Sequence, residues 1–248
     1  KKPLYYAELD GLPLFASEIK SLMASGLVPR DLDPAALAAY LECQYVPGPR
    51  TIFQAVKKLP PGHALAADAS GIRLERYWHP AFRLEAVPRF EEAARRLREL
   101  MTDSVRLRLL SEVPLGAFLS GGIDSSIVVG VMSRLLSQPV KTFTVGFQGA
   151  GWYDESPEAE AVGRHFGTDH HTLEVASPDL PAYLEQTVRA LDEPMADPAS
   201  IPTCMISRYA RQWVTVALTG EGADELFGGY DHYRFELLLS RLGSLGRL

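Results

Sequence analysis

The stretch Leu119-Ser120-Gly121-Gly122-Ile123-Asp124-Ser125-Ser126 lies between a short apolar run, Leu115 to Leu119, and a helix-patterned run, Ser125 to Leu136. In the second run Ile127, Val131 and Leu135 fall on one stripe, so the whole reads as strand, tight turn and helix. Two successive glycines let the backbone turn sharply and come close to a ligand. Ser125 and Ser126 fall at the helix start, where free N–H groups and the positive end of the helix dipole favour an anion. Phosphate or pyrophosphate is the natural guest. No lysine stands in the loop, so it is not the GxxxxGK[ST] pattern. A Gly-Gly turn before a helix also serves as a plain connector, and Asp124 bears on that choice. A carboxylate beside an anion site is repulsive unless a cation mediates, which implies Mg²⁺ bound jointly with phosphate oxygens.

Working outward, apolar runs suited to strands recur at Thr142 to Phe147, His171 to Val175 and Val214 to Leu218. Helix-patterned stretches separate them: Glu158 to Phe166, Leu180 to Leu191 and Ile201 to Arg211. Upstream, Phe90, Ala94, Leu97, Met101 and Val105 recur at three- and four-residue steps, which predicts an amphipathic helix. Strands alternating with helices predict an α/β fold with a parallel sheet covered on both faces. The expected spatial order is third, second, first, fourth, which right-handed crossovers make compact.

The fourth strand runs into Thr219-Gly220-Glu221-Gly222-Ala223-Asp224-Glu225-Leu226-Phe227-Gly228-Gly229-Tyr230. A solvated acidic loop is the plain reading of its three carboxylates. Against that, the turn leaves the carboxyl end of a strand, where ligands of open α/β sheets bind. If the fourth strand neighbours the first, Asp124 and Asp224 come within reach of one shared magnesium.

The first ~80 residues read as part of an α+β unit. Pro3 to Leu9 and Leu12 to Ala16 are β-prone and are joined by Asp10-Gly11, a strong hairpin signal because a type I′ turn needs positive φ at both central residues. Ser17 is the expected cap of a helix through Met23 that Gly26 closes. Asp33-Pro34 opens another helix, Asp as N-cap and Pro at the first helical position. A short helical run near Ile52 to Leu59 and a second hairpin, His63 to Ala67 with Ile72 to Trp78, follow. A composition change near Pro80 to Pro88 places the domain boundary there.

A net charge of −6 lowers the expectation of nucleic acid or an anionic membrane surface as partner. No apolar run reaches the ~18 residues of a membrane helix, and no signal-peptide pattern is present. Cys43 and Cys204 form no CxxC pair, and read as free thiols in a reducing cytoplasm. With no initiator Met and no clear final element, the chain reads as a piece of a longer protein.

Five patches together carry a resemblance. Ser-Gly-Gly-Ile-Asp-Ser at 120–125 resembles the pyrophosphate loop of ATP pyrophosphatases, and Gly220 to Tyr230 resembles the matching motif of the glutamine-hydrolysing asparagine synthetases within that group. Phe15 to Lys20 with Leu59 to His63, and Asp192 to Thr203, also look like that family, in family order. The resemblance implies residues 1–80 as the C-terminal remnant of a class II glutaminase domain. It implies residues 81–248 as the first part of a synthetase domain of the ATP-pyrophosphatase (adenine-nucleotide α-hydrolase-like) type. It implies ATP and Mg²⁺ as cofactors and conversion of aspartate to asparagine through β-aspartyl-AMP, with ammonia drawn from glutamine in the intact protein. An amidotransferase or β-lactam-synthetase-like enzyme acting on another carboxylate, and an ATP-binding fragment without turnover, are the alternatives. A role in tRNA modification is disfavoured by the acidic balance.

On this resemblance Phe118, Leu119, Ser120, Gly121, Gly122, Asp124, Ser125, Val145, Thr219 and Gly220 bind the nucleotide, with adenine near Phe118, Val145 and Gly220. Asp124 and Asp224 hold the metal, and Glu221 supports formation or use of the acyl-adenylate. The family's N-terminal cysteine nucleophile and a later lysine have no counterpart in the sequence, and the resemblance allows a homodimer for the intact protein. His170-His171 lacks a third ligand at a suitable spacing and reads as a strand-edge pair. Trp152 to Ser156 reads as a loop able to cover a nucleotide. The arginines from 89 to 108 alternate with Glu91, Glu92, Glu99 and Asp103, as on a solvated helix face.

Overall fold

The computed structural model describes residues 3–68, 71–81, 88–149, 151, 154–176 and 180–241. In chain order the strands are β1 (Tyr5–Leu9), β2 (Leu12–Ala16), β3 (Lys57–Lys58), β4 (His63–Asp68), β5 (Gly71–Arg76), β6 (Leu115–Phe118), β7 (Lys141–Phe147), β8 (Asp169–Val175) and β9 (Val216–Leu218). The helices are α1 (Ile19–Ala24), α2 (Pro34–Cys43), α3 (Phe90–Arg108), α4 (Ile123–Leu135), α5 (Ser156–Phe166), α6 (Leu180–Ala190), α7 (Ser200–Ala210), α8 (Ala223–Phe227) and α9 (Asp231–Arg241). The chain forms two compact units, Lys1–Ala86 with Pro181–Cys204, and Val87–Leu180 with Met205–Leu248.

In the first unit β1 and β2 form the expected hairpin, with Leu9 opposite Leu12. Asp10 and Gly11 both have positive φ, 50° and 78°, as a type I′ turn demands. β3 pairs with the other edge of β1, and β4 and β5 form the second expected hairpin. Ala7, Ile19, Leu22, Val28 and Val56 make the core under the first sheet.

Asp33 caps α2 as expected, accepting from the N–H groups of Ala35 (2.9 Å) and Ala36 (3.3 Å), with Pro34 at the first helical position. The Arg50 guanidinium and these N–H groups hold the Asp33 carboxyl below the usual carboxylate range. Two local expectations fail. The N-cap of α1 is Glu18 rather than Ser17, and no side chain of its own turn caps it. Its first free amide, Ile19 N–H, is satisfied by Asp192 Oδ2 at 2.6 Å. The stretch 52–59 is a turn leading into β3 rather than a helix. Ile52 and Val56 are both buried there, which mimics a helical i, i+4 pair. The backbone amides go elsewhere: Ile52 N–H to Glu193 Oε1 (2.9 Å) and Phe53 N–H to Thr51 Oγ1 (3.1 Å).

In the second unit four parallel strands take the order β8-β7-β6-β9, which is the predicted order. Central β6 is short, and its inner residues Gly116 and Ala117 are buried, as expected of a parallel strand covered on both faces. On one face Val105 of α3, Val128, Val129 and Met132 of α4 and Ala159 of α5 pack with Ala117, Leu119, Val140 and Leu218. On the other, Ile206 and Ala210 of α7 and Val214 pack on Phe143, with Phe118, Val145, Tyr209 and Trp213 at the margin.

α3 carries its charges outward as expected, with Arg95–Glu99 and Arg106–Asp103 ion pairs on its surface. His170 and His171 lie on edge strand β8. His170 Nδ1 is 2.8 Å from Thr142 Oγ1, burial lowers its pKa, and His171 stacks between Phe143 and Trp213. α8 and α9 were not foreseen as helices. The residues where the sequence places the domain boundary fall largely at 82–87, outside the described residues, as do 242–248.

Candidate active site

The loop after β6 is built to hold its shape without help from a ligand. Leu119 N–H donates to Phe143 O at 2.9 Å, tying the strand end to β7. The Ser125 hydroxyl is buried and sits under the loop: it accepts from Ser120 N–H (3.2 Å), lies 3.0 Å from Ser120 Oγ and reaches Gly122 O at 3.3 Å. Ser126 Oγ donates to the same carbonyl at 2.6 Å. Ser125, expected among the phosphate contacts, therefore works through its hydroxyl as the internal tie of the loop. Gly121 has φ +80°, and a Cβ there would fall 2.6 Å from Glu158 Cβ and 2.8 Å from Ala159 N. The first turn of α5 thus presses directly on the loop.

α4 begins at Ile123 with Gly122 as N-cap, and no side chain caps it. The amides of a helix's first turn lack intrahelical partners, and at this end they combine with the helix dipole to favour an anion. Asp124, half-buried, stands in that same first turn. A cleft of about 590 Å³ opens over Ser120, Gly121 and Gly122, with Asp154, Glu155, Pro157 and Glu158 as its far wall. Asp154 accepts from Ser156 N–H (3.1 Å) and Oγ (2.7 Å). Those bonds, the hydroxyl's foremost, hold its carboxyl below the usual range.

The second motif meets the first through Gly220. A Cβ on Gly220 would lie 2.8 Å from Ser125 N and 3.0 Å from both Asp124 C and Asp124 Cβ. Only a glycine lets the end of β9 lie this close to the head of α4. Pairing of Ala117 with Leu218 in the β6–β9 ladder sets up that approach. Thr219 Oγ1 accepts weakly from Glu221 N–H at 3.4 Å, and Glu221 is exposed. Asp224 and Glu225 lie in the short α8 rather than in an irregular turn. Asp224 Oδ1 packs over Gly229, where a Cβ would come within 1.9 Å of it. Glu225 accepts from the Tyr230 hydroxyl at 3.1 Å, a bond that raises the phenol's pKa.

Phe118 lies opposite Phe143 in the β6–β7 ladder. Val145, two residues beyond Phe143, faces the same side, so two of the three residues expected near adenine share the α7 face of the sheet. Of the loop expected over the nucleotide, Trp152 and Tyr153 lie outside the described residues. Sequence reasoning missed the wall made by α5. Its signal was Ser156-Pro157, with Pro at a first helical position, which starts the helix two residues before Glu158 and brings Glu158 against Gly121. Among the described residues no three His, Cys, Asp or Glu side chains gather to hold a metal ion.

The family profile described as Asparagine synthase matches residues 96–246, and that described as Glutamine amidotransferase domain matches residues 1–78. Asparagine synthetase [glutamine-hydrolyzing] 1 of Bacillus subtilis is 38% identical over 239 residues, covering 96% of this chain and 37% of the relative. A putative asparagine synthetase [glutamine-hydrolyzing] 2 of Methanocaldococcus jannaschii is 34% identical over 237 residues, covering 92% and 45%. Amidase chry2 of Gibberella zeae is 31% identical over 258 residues, covering 96% and 37%. The chain thus spans less than half the length of these relatives. A strand–loop–helix turn with an uncapped helix start, an acidic turn seated against it and these matches over nearly all residues lead to one conclusion: the chain belongs to the asparagine synthase family.

Proposed function

We propose that the intact protein converts aspartate to asparagine with ATP and glutamine-derived ammonia, and that residues 115–225 hold its adenylation centre. The observation that carries this reading is the seating of Gly220 against Ser125 N and Asp124, which puts an acidic turn beside an uncapped helix start. An anion cradle alone binds phosphate; a cradle bordered by carboxylates suits a magnesium-bound polyphosphate.

In the reaction, a carboxylate oxygen of aspartate attacks the α-phosphorus of ATP. The bond to the β-phosphate oxygen breaks, and pyrophosphate leaves. Ammonia then attacks the β-carbonyl of the aspartyl-adenylate, AMP departs with the bonding pair, and the nitrogen loses a proton to give the amide. The amides at the head of α4 and the backbone of Ser120 to Gly122 face the charge that builds on the departing pyrophosphate. Phe118 and Val145 offer the apolar surface for adenine. Leu119 and Thr219 follow directly on the two strands that bring these groups together.

The donor set fits Mg²⁺: Asp124, with Asp224 on the neighbouring turn, supplies few protein oxygens, which suits an ion that takes most of its shell from phosphates and water. Bound there, the ion would neutralise charge on the phosphate oxygens. Glu221, nearer the end of β9 than Asp224, is assigned to the aspartate side. Cytoplasmic location and a homodimer belong to this same reading; no described helix is long and apolar enough to cross a membrane.

Aspartate-dependent exchange of labelled pyrophosphate into ATP, with calorimetry of MgATP binding, tests the assignment in the intact protein. Asp124→Asn is expected to slow the magnesium-dependent step by about 10²–10³. Glu221→Gln is expected to leave MgATP binding near the parent's and to impair exchange or capture of the adenylate. Loss of MgATP binding in Glu221→Gln but not in Asp124→Asn reverses the roles. No effect of either substitution in either assay refutes the site.

A further inference from the structure

We infer that Asp192 and Glu193 are positioning residues that hold ammonia release in step with ammonia use. This inference rests on the function proposed above. Both side chains are nearly enclosed, 8% and 11% exposed, and each of their four oxygens is committed. Asp192 Oδ2 accepts from Ile19 N–H at 2.6 Å, and Oδ1 pairs with Lys20 Nζ at 2.9 Å. Glu193 Oε1 accepts from Ile52 N–H at 2.9 Å, and Oε2 pairs with Lys58 Nζ at 2.7 Å. Adjacent carboxylates repel, and burying them is costly unless every oxygen is satisfied. Here each carboxylate takes one backbone amide and one ammonium, so the pair is locked in a single geometry.

The placement of this knot in the chain gives it a role beyond stability. Its partners at 19, 20, 52 and 58 lie in the stretch matched by the glutamine amidotransferase family, whereas Asp192 and Glu193 lie in the stretch matched by the asparagine synthase family. The segment 181–204 nonetheless belongs to the first compact unit. It runs directly into α7, whose Ile206 and Ala210 pack on Phe143 of β7 in the second. β7 in turn holds the start of the phosphate loop through the Leu119–Phe143 bond. A single covalent segment is thereby gripped at one end by the amidotransferase-type unit and built at the other into the sheet that carries the loop. A rearrangement on either side is transmitted along it.

The test uses the full-length protein with Asp192→Asn and Glu193→Gln combined, which preserves shape and removes both ion pairs. Three rates are measured: glutamate release from glutamine, asparagine formation from ammonium chloride, and asparagine formation from glutamine. The first two are expected to stay near the parent's. Asparagine formed per glutamate released is expected to fall by about fivefold or more, the lower range of coupling between sites. Parallel loss of all three rates marks a merely structural role and overturns the inference. So does an unchanged ratio. If the double variant does not fold, Lys58→Met removes one cation while sparing the Ile52 amide bond, and the same ratio decides. A parent that makes no asparagine from either nitrogen source overturns the proposed function and the coupling with it. A competent parent whose ratio survives substitution overturns the coupling alone.

Discussion

The two loop glycines look alike in sequence and differ sharply in what they tolerate. Gly121 has φ +80°, and an added Cβ would meet Glu158 Cβ at 2.6 Å, Ala159 N at 2.8 Å and Glu158 C at 2.8 Å. Two of those three atoms are backbone of α5, so no side-chain rotation relieves the clash. An L-residue in the left-handed region costs about 1–2 kcal/mol, and forcing a methyl into a filled space costs about 1–3 kcal/mol. Alanine also stiffens the unfolded chain, which returns about 0.4–1 kcal/mol. The net expectation for Gly121→Ala is a loss of about 1–4 kcal/mol, large beside the ~5–15 kcal/mol that holds a typical domain folded. Gly122 has φ −67° and ψ 164°, ordinary extended backbone. Its Cβ would meet only Ser120 Oγ, at 3.3 Å, and that hydroxyl can turn away. Gly122→Ala should stay within about 1 kcal/mol of the parent, the loss at an N-cap where glycine outranks alanine. Urea unfolding of this chain measures the difference, and MgATP calorimetry reads its consequence at the cradle. Because α5 must shift to admit the methyl, Gly121→Ala should also weaken binding by about tenfold or more, given how steeply small misplacements act at a built site. Equal unfolding midpoints for the two variants would refute the claim that α5 braces the loop.

Phe143 is fully buried on the α7 face of the sheet and touches the rings of His171, Tyr209 and Trp213. Phe143→Ala should therefore cost about 3–5 kcal/mol in urea unfolding, and a loss under ~1 kcal/mol would contradict the packing described. Asp33 has a folded-state pKa below its unfolded value, so its contribution is present above the unfolded pKa and disappears as pH falls through the folded one. An NMR titration should find its midpoint below that of a free aspartate, moving up in Arg50→Met; an ordinary midpoint in the parent excludes the cap and ion pair as drawn.

The parts of the structure legible in the sequence are those whose cause is local. Asp10-Gly11 dictates its turn because both positions must reach positive φ. Asp33-Pro34 starts a helix because cap and first residue are adjacent. The alternation of short apolar strands with helical stripes implies the parallel sheet, and the expected strand order is compact with right-handed crossovers. The meeting of Gly220 with Asp124 follows from that order. What was not legible depends on partners far along the chain. The amide of Ile19 is satisfied by a carboxylate 173 residues away, so inspecting Ser17 could not find its cap. The turn at 52–59 carries a helix-like spacing of buried residues, yet Glu193, 141 residues on, claims the amide of Ile52. The bracing of Gly121 by α5 escaped for the same reason. The place of the Ser125 hydroxyl under the loop was not legible either, since its partners are brought together only by the turn.

The order β8-β7-β6-β9 has a consequence in time as well as space. β6 pairs with β7 a short distance along the chain, but it pairs with β9 across roughly a hundred positions, Leu115 with Val216. Contacts between distant positions carry the larger loop-closure penalty and form late. During synthesis from the N-terminus, β6, α4, β7, α5 and β8 are available before any residue of β9 has been made. The loop after β6 and the head of α4 can therefore take shape on the ribosome while the acidic turn is still untranslated, with one edge of β6 bare. When β9 arrives it both covers that edge and delivers Gly220 and Glu221, so the pairing of β9 with β6 and the meeting of the two motifs are one event.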